Sequence, residues 1–380
     1  MKLLAEGSVV VAEAVRLCKP QVISAYPITP QSKITETLAK MVADGKLKAK
    51  YLNVEAEFSA ISSVVGARAA GARVFTATSS QGLALMHEVL FAAAGLRMPI
   101  VMVVANRALS APINIWNDQQ DSISERDSGW IQLYVETVQE AADSVIQAYR
   151  IAEDERILLP VMVCMDGYIL THVFEPVDLP SEKEVQDFLP KGKPKHAILD
   201  PENPMTIGPF AYPEPYFKLR KELSQVIDSS KEIIKEVNEE FAKKFGRKYG
   251  NGLIEEYKND RRIAIVSMGS LCGTIKYIVD SREDVGLVRI RCYRPFPKED
   301  LIGALKDKEI VIIIEKNISL GLGSGALFSE VRDTLYSLEK KPKVIGCIAS
   351  LGGVDVRSKD IEKLVDSSRE MKDGEVRWFI

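Results

Sequence analysis

Four short segments carry the side chains best suited to chemistry in this 380-residue chain. Tyr26-Pro27-Ile28-Thr29-Pro30 offers a hydroxyl beside prolines, and Glu55-Ala56-Glu57 offers two carboxylates. Thr78-Ser79-Ser80-Gln81-Gly82 adds hydroxyls and an amide, and Asn106-Arg107-Ala108-Leu109-Ser110-Ala111-Pro112 adds a guanidinium. Each segment falls just beyond the C-terminal end of a predicted strand. Open parallel sheets bind ligands at that rim, so four polar segments gathered there mark a site. Every one of these residues also has a purely structural use. Thr29 before Pro30 has the form of a helix N-cap with proline at the first helical position, and Ser80 that of another cap. Glu57 suits the positive end of a helix, and Arg107 could pair with Asp118 or Asp121.

Gly321-Leu322-Gly323-Ser324-Gly325-Ala326 matches G-x-G-x-x-A between a predicted strand and helix. A dinucleotide site would also place a ribose-binding acid at the tip of the next strand, where this chain has Ser350-Leu351-Gly352-Gly353. Glycines at a tight turn need no ligand. A nucleotide-sensing or scaffold role therefore stands only as an alternative of another class.

The elements that must position these residues follow from periodicity. Up to about residue 175, helical patterns alternate with short β-branched runs at 21–25, 50–54, 73–78, 99–105, 131–135 and 159–165. That order predicts an α/β fold with a parallel sheet. Helices are expected at about 32–42, 60–70 and 80–94. Periodicity fails over 176–215, where five prolines from Pro201 to Pro215 predict an extended arm. A long amphipathic helix follows, with Leu219, Leu223, Val226, Ile227, Ile233, Ile234, Val237 and Phe241 along one stripe. After Gly250–Gly252 the alternation resumes, with strands at 263–267, 288–292, 309–314 and 344–349. We divide the chain into residues 1–250, including the arm and long helix from about 176, and a smaller α/β domain at 251–380.

Composition narrows the function class. With 46% hydrophobic and 27% charged residues the chain is an ordinary globular protein, and a net charge of −3 gives no basic surface for nucleic acid. The longest apolar runs, 98–105 and 157–165, fall well short of the roughly 20 residues that cross a bilayer. No export signal is read near Lys2 and Glu6, so a cytoplasmic protein without membrane partners is expected. Five cysteines without a C-x-x-C and only three histidines leave no cluster or metal site expected within this chain.

Taken together, the segments YPITP, VEAEFSA, TATSSQGLALMHEVLF and NRALSAPINIWNDQQDS closely resemble the alpha subunits of the 2-oxoacid:ferredoxin oxidoreductase family, above all its pyruvate-using branch. RDSGWIQ at 126–132, RILLPVMV, KKFGRKYG and YRPFP at 293–297 extend the likeness over essentially the whole chain. The resemblance implies a thiamine-diphosphate-enzyme pyrimidine-binding domain followed by a transketolase C-terminal-like domain. It implies that thiamine diphosphate is shared with a beta subunit, and that Mg2+ and [4Fe-4S] clusters sit on partner subunits. A gamma subunit and a ferredoxin-like delta subunit would complete a four-subunit assembly that passes electrons from pyruvate to ferredoxin and the acetyl group to coenzyme A, reversibly. The absence of a G-D-G segment and of cluster-spaced cysteines agrees with that division.

Carried over residue by residue, the resemblance places the cofactor-activating glutamate at Glu57, with Glu55 the nearest alternative. It would hydrogen-bond N1′ of the aminopyrimidine. Thr29 and Arg107 match the residues that hold the 2-oxoacid carboxylate, for which a planar guanidinium is well shaped. Ser80 and Gln81 could approach the cofactor. A small neutral Thr29 beside one arginine favours pyruvate, with 2-oxoisovalerate next and 2-oxoglutarate, which would call for a second positive charge, after it.

Overall fold

The structure, a computed structural model, describes residues 2–190 and 196–379. Its first half runs β1 (Lys2–Glu6), α1 (Gly7–Cys18), β2 (Val22–Ala25), α2 (Ser32–Ala43), β3 (Lys50–Asn53), α3 (Glu57–Ala69), β4 (Val74–Thr78), α4 (Ser80–Leu85), α5 (His87–Gly95), β5 (Val101–Asn106), α6 (Gln120–Ser124), β6 (Ile131–Tyr134), α7 (Val138–Ala152) and β7 (Val161–Asp166). Strands β6, β7, β5, β4, β2 and β3 lie side by side in that order, all parallel. β4, β5 and β7 are buried along their whole length, which is why they read as unbroken apolar runs rather than alternating ones.

Beyond β7 the expected extended arm contains regular structure. β8 (Phe174–Asp178) pairs antiparallel with β1, and α8 (Glu182–Phe188) opens with a Ser181–Glu184 capping box. Both escape a periodicity reading because they are short and β8 is interrupted by Pro176, which an edge ribbon tolerates. Residues 191–195 of the expected arm lie outside the described residues. α9 (Pro213–Phe245) is the long helix; it buries Leu223, Ile233, Ile234, Val237 and Phe241, whereas Leu219 is exposed. Arg247 just past its end makes a forked ion pair with the buried Asp143 of α7, at 2.6 and 2.8 Å.

The second half runs β9 (Ile254–Tyr257), β10 (Ile263–Ser267), α10 (Leu271–Ser281), β11 (Val285–Ile290), β12 (Cys292–Arg294), α11 (Lys298–Leu305), β13 (Ile310–Glu315), α12 (Ala326–Tyr336), β14 (Lys343–Ile348), α13 (Ser358–Ser367) and β15 (Val376–Trp378). Its sheet has the order β15-β14-β13-β10-β11-β9, with only β9 antiparallel. The expected strand at 288–292 divides: β11 stays in this sheet, while β12 pairs antiparallel with β6 and extends the first sheet. The two halves therefore share a sheet edge.

Buried charges reinforce that junction. The Glu140 carboxylate of α7 accepts from Arg289 and from Arg291 Nε at 3.0 Å, and all three side chains are at most 2% exposed. Burial works against the charge of Glu140, but the two guanidiniums hold its pKa below the usual carboxylate range. Lys316 Nζ likewise reaches Asp166 Oδ2, at the end of β7, at 2.8 Å and Asn117 Oδ1 at 2.9 Å. Breaking such a buried pair leaves an uncompensated charge, so these links fix the relative placement of the halves.

The glycine loop at 321–325 is closed by the protein itself. Glu315 places its carboxylate at the start of α12, where it accepts from the backbone N–H groups of Gly325, Leu327 and Phe328 at 2.9 to 3.3 Å and from Asn317 Nδ2 at 3.0 Å. A phosphate would need those same donors. Among the described residues no helix is long and apolar enough to cross a membrane.

Candidate functional site

Glu57 opens α3, and its buried carboxylate lies directly over α4. A Cβ added at Gly82 would fall 2.5 Å from Glu57 Oε1 and 2.6 Å from Thr78 Oγ1. Only glycine leaves that space. The Thr78 hydroxyl is buried without a hydrogen-bond partner, and among the described residues the Glu57 carboxylate has no hydrogen-bond or ion-pair partner. Two polar groups that forgo partners inside a protein are costly unless something else binds there. Glu55 differs: it is exposed and accepts from Ser59 Oγ at 2.5 Å, which lowers its pKa.

The segment after β4 takes an unusual path. Ser80 has φ of +51°, in the left-handed region that disfavours residues with a Cβ. Ser79 occupies the N-cap position, so Ser80 is not the cap its type suggests. Its Oγ donates instead to Ala108 O at 2.5 Å and contacts Gln81 Oε1, while Gln81 Nε2 donates to Ser110 Oγ. Ser80 and Gln81 thus tie α4 to the loop that carries Arg107.

Thr29 is not a cap either. Its peptide bond to Pro30 is cis, α2 starts at Ser32, and Gln31 stands at the N-cap position with Nε2 donating to Ala77 O at 2.7 Å. The freed Thr29 carbonyl accepts from Arg107 Nη1 at 2.9 Å, and Arg107 Nε donates to Asn114 O at 2.8 Å. Arg107 is only 5% exposed, and burial lowers its pKa without approaching neutrality. The expected ion pair with Asp118 or Asp121 does not form. Asp118 accepts from the backbone of Gln120 and Gly352, and burial raises its pKa to about 7. Asp121 accepts backbone N–H groups, including that of Arg107.

Contacts therefore run without a break from Glu57 through Gly82, Ser80 and the 106–110 loop to Arg107 and Thr29. The second half holds the far side of that loop: Asn114 Nδ2 donates to Gly352 O at 3.0 Å, and Gln119 N to Lys316 O at 2.9 Å. Chemically, the arrangement offers a carboxylate, a hydroxyl and a guanidinium Nη2 that make no hydrogen bond among the described residues. Sequence reasoning assigns no role to Asn114, includes Thr78 and Gly82 only as members of a polar segment, and offers Asp121 only as an ion-pair partner for Arg107. Gly82 alone had a local signal, as a glycine within a helical pattern two residues after Ser80.

The chain is similar to known proteins along most of its length. A family model described as pyruvate flavodoxin/ferredoxin oxidoreductase, thiamine-diphosphate-binding, matches residues 13–239, and one described as pyruvate:ferredoxin oxidoreductase core domain II matches residues 262–361. The chain is 54% identical over 377 residues to pyruvate synthase subunit PorA of Methanocaldococcus jannaschii, covering 98% of this chain and 96% of that one. Identity to pyruvate synthase subunit PorA of Methanothermobacter thermautotrophicus is 52%, over 97% of this chain and 95% of that one. Ketoisovalerate oxidoreductase subunit VorA of Pyrococcus horikoshii is 39% identical, over 100% of this chain and 98% of that one. In fold, the chain resembles a solved 2-oxoglutarate:ferredoxin oxidoreductase from Magnetococcus marinus with 2-oxoglutarate, coenzyme A and succinyl-CoA bound. The TM-score is 0.73 at 19% identity, over 97% of this chain and 65% of that one, which is just under two thirds of its length.

Proposed function

The chain belongs to the pyruvate flavodoxin/ferredoxin oxidoreductase family, and on that premise we propose that it is the alpha subunit of a multisubunit pyruvate:ferredoxin oxidoreductase. The complex would convert pyruvate and coenzyme A to acetyl-coenzyme A and CO2, with electrons passed to ferredoxin, in a reversible reaction. The PorA relatives lie closer than the VorA relatives, at 54% against 39% identity, which supports pyruvate over 2-oxoisovalerate.

The observation that carries the reading is the unpartnered Glu57 carboxylate above Gly82, beside the orphaned Thr78 hydroxyl. These residues fit one edge of an aminopyrimidine. Thiamine diphosphate, when bound, supplies a nucleophilic thiazolium carbon and an electron sink for decarboxylation. Glu57 then holds a proton at N1′ of the pyrimidine, and its satisfied neighbour Glu55 does not compete for that role. Arg107 offers its free guanidinium edge to the substrate carboxylate, with its other nitrogens fixed by Asn114 and Thr29, and the Thr29 hydroxyl is a neutral donor alongside. Because Ser80 and Gln81 are engaged within the chain, we assign them to shaping the wall of the cofactor site.

We divide the chain near residue 250 into a pyrimidine-binding domain and a transketolase C-terminal-like domain. A beta subunit would bring the diphosphate and Mg2+ portion of the cofactor site, and gamma and delta subunits would complete the complex, with [4Fe-4S] clusters outside this chain. Tyr26, Phe58, Ile113 and Trp116, on or just beyond the rim segments and all exposed, offer apolar surface for such a partner. The five cysteines are free and buried, which suits a reducing cytoplasm.

The test is anaerobic ferredoxin or viologen reduction by the co-purified complex with pyruvate, 2-oxoisovalerate and 2-oxoglutarate, with and without coenzyme A. Coenzyme-A-dependent reduction dominated by pyruvate supports the reading. A preference for another oxoacid overturns the substrate, and no reduction by a cofactor- and cluster-replete complex overturns the activity. Glu57→Gln is expected to stop hydrogen exchange at thiamine C2, and exchange at the parent rate would remove Glu57 from its role.

A further inference from the structure

Asp121, on the short helix α6, is 2% exposed, and among the described residues its carboxylate forms no ion pair. Its two oxygens accept four N–H donors. Oδ2 takes the backbone N–H of Ser80 at 2.9 Å and of Arg107 at 3.0 Å, and Oδ1 takes the backbone N–H of Ser122 at 2.7 Å and Asn106 Nδ2 at 2.8 Å. A carboxylate has about four lone-pair sites, so this one is saturated. The two donors on Oδ2 come from segments 27 residues apart, each at the end of a different strand, β4 and β5.

Both donors belong to residues that need holding. Ser80 sits at positive φ, a conformation that disfavours residues with a Cβ, and it leads straight into Gly82 beneath Glu57. The Arg107 backbone sets the origin of a side chain that must reach Thr29 O and Asn114 O together. Hydrogen bonds to an ionised acceptor are shorter and stronger than neutral ones, so one anion can pin both turns in a fixed relation.

We infer that Asp121 is a positioning residue that sets the spacing between the Glu57–Gly82 edge and the Arg107–Thr29 edge of the site. The inference rests on the function proposed above. Asp121 touches neither substrate nor cofactor in this assignment. Its effect passes through the Ser80 and Arg107 backbones, so its loss should act on cofactor activation and substrate affinity at once. Loss of Arg107 alone should act mainly on the substrate.

The experiment compares parent, Asp121→Asn, Asn106→Ala and Glu57→Gln subunits in the assembled complex. Asp121→Asn keeps the shape but turns an amide N–H toward groups that are themselves donors. Asn106→Ala deletes one donor to the carboxylate and keeps its charge, which covers the case in which Asp121→Asn does not assemble. Backbone hydrogen exchange by mass spectrometry should show lost protection at 79–82 and 106–108, with α1 and β10 unchanged. For Asp121→Asn, pyruvate KM should rise and thiamine C2 exchange should slow, each by on the order of tenfold; for Asn106→Ala, by about two- to fivefold. Parent values of KM, C2 exchange and local protection in an assembled variant overturn the inference, as does protection lost uniformly across the chain. Glu57→Gln separates the two readings. If it exchanges the C2 proton at the parent rate, the site assignment fails; if it is silent while Asp121→Asn behaves as parent, only the positioning role fails.

Discussion

Gly82→Ala tests the site through a single methyl group. Gly82 is in a helix, not at positive φ, so alanine suits its backbone and by propensity alone would add up to about 1 kcal/mol of stability. The methyl carbon would lie 2.5 Å from Glu57 Oε1 and 2.6 Å from Thr78 Oγ1. Ordinary contact needs about 3.5 Å, so the neighbours must retreat by about 1 Å. Thr78 lies on a fully buried strand, whereas Glu57 Oε1 is the end of a longer side chain, so the carboxylate yields. A misplacement of about 1 Å in a catalytic geometry costs roughly a hundredfold in rate, or about 2.7 kcal/mol of barrier. The assay is thiamine C2 hydrogen exchange and pyruvate turnover in the assembled complex, beside thermal melting of the same samples. Gly66→Ala in α3, where a Cβ meets open space, is the control and should leave both rates near parent. Parent-like exchange in Gly82→Ala, with the substitution confirmed and the melting temperature held, would refute the placement of the reacting edge between Glu57 and Gly82.

Three further outcomes follow from other parts of the structure. Arg107→Lys cannot bond Asn114 O and Thr29 O while presenting a second edge, so pyruvate KM should rise by roughly tenfold or more with a smaller change in kcat; a change confined to kcat would contradict a carboxylate-binding role. Glu140→Ala strands Arg291 and removes one of the carboxylates around Arg289, and should cost about 3 kcal/mol in denaturant unfolding; a loss near zero would show that the junction of the halves does not depend on this pair. Burial raises the Glu315 pKa from 4.5 to about 7 against four N–H donors that oppose the rise. Between those values the unfolded chain releases a proton that the folded chain keeps, so this group contributes less stability as pH rises from 4.5 to 7. The difference between parent and Glu315→Gln in thermal stability should therefore move against the parent between pH 5 and pH 8, by up to about 3 kcal/mol, and a pH-independent difference would refute the assignment.

Much of the architecture was legible because it depends on patterns along the chain. The six predicted strands of the first half are present because each is a short apolar run that a two-sided sheet must bury, and α3 forms where small residues follow Glu57. The strands that escaped notice, β1, β8, β9, β12 and β15, are edge or ribbon strands of three to five residues. Their stability comes from a partner distant in sequence, as β12 shows by leaving one sheet for the other at Arg291.

Residue types likewise misled wherever a local rule competed with a distant contact. Thr29 and Ser80 had the form of caps, but Thr29 presents its carbonyl to Arg107 and Ser80 turns its hydroxyl to Ala108. The Gly321–Gly325 loop had the form of a phosphate cradle, but Glu315, six residues earlier, fills the helix end.

The sequence by itself determined the α/β alternation, the strand-end rim and the polar segments on it that carry Glu57, Thr29 and Arg107, the residues of the proposed site, because strand and helix periodicity and strand-end polarity are local properties. Only the tertiary structure decided which of those side chains remain free to act. Partners from 14 to more than 200 residues away, such as Asp121 for Arg107 and for Ser80 and Gly352 for Asn114, absorb some polar groups and leave others unpartnered, and sequence spacing carries no record of that competition.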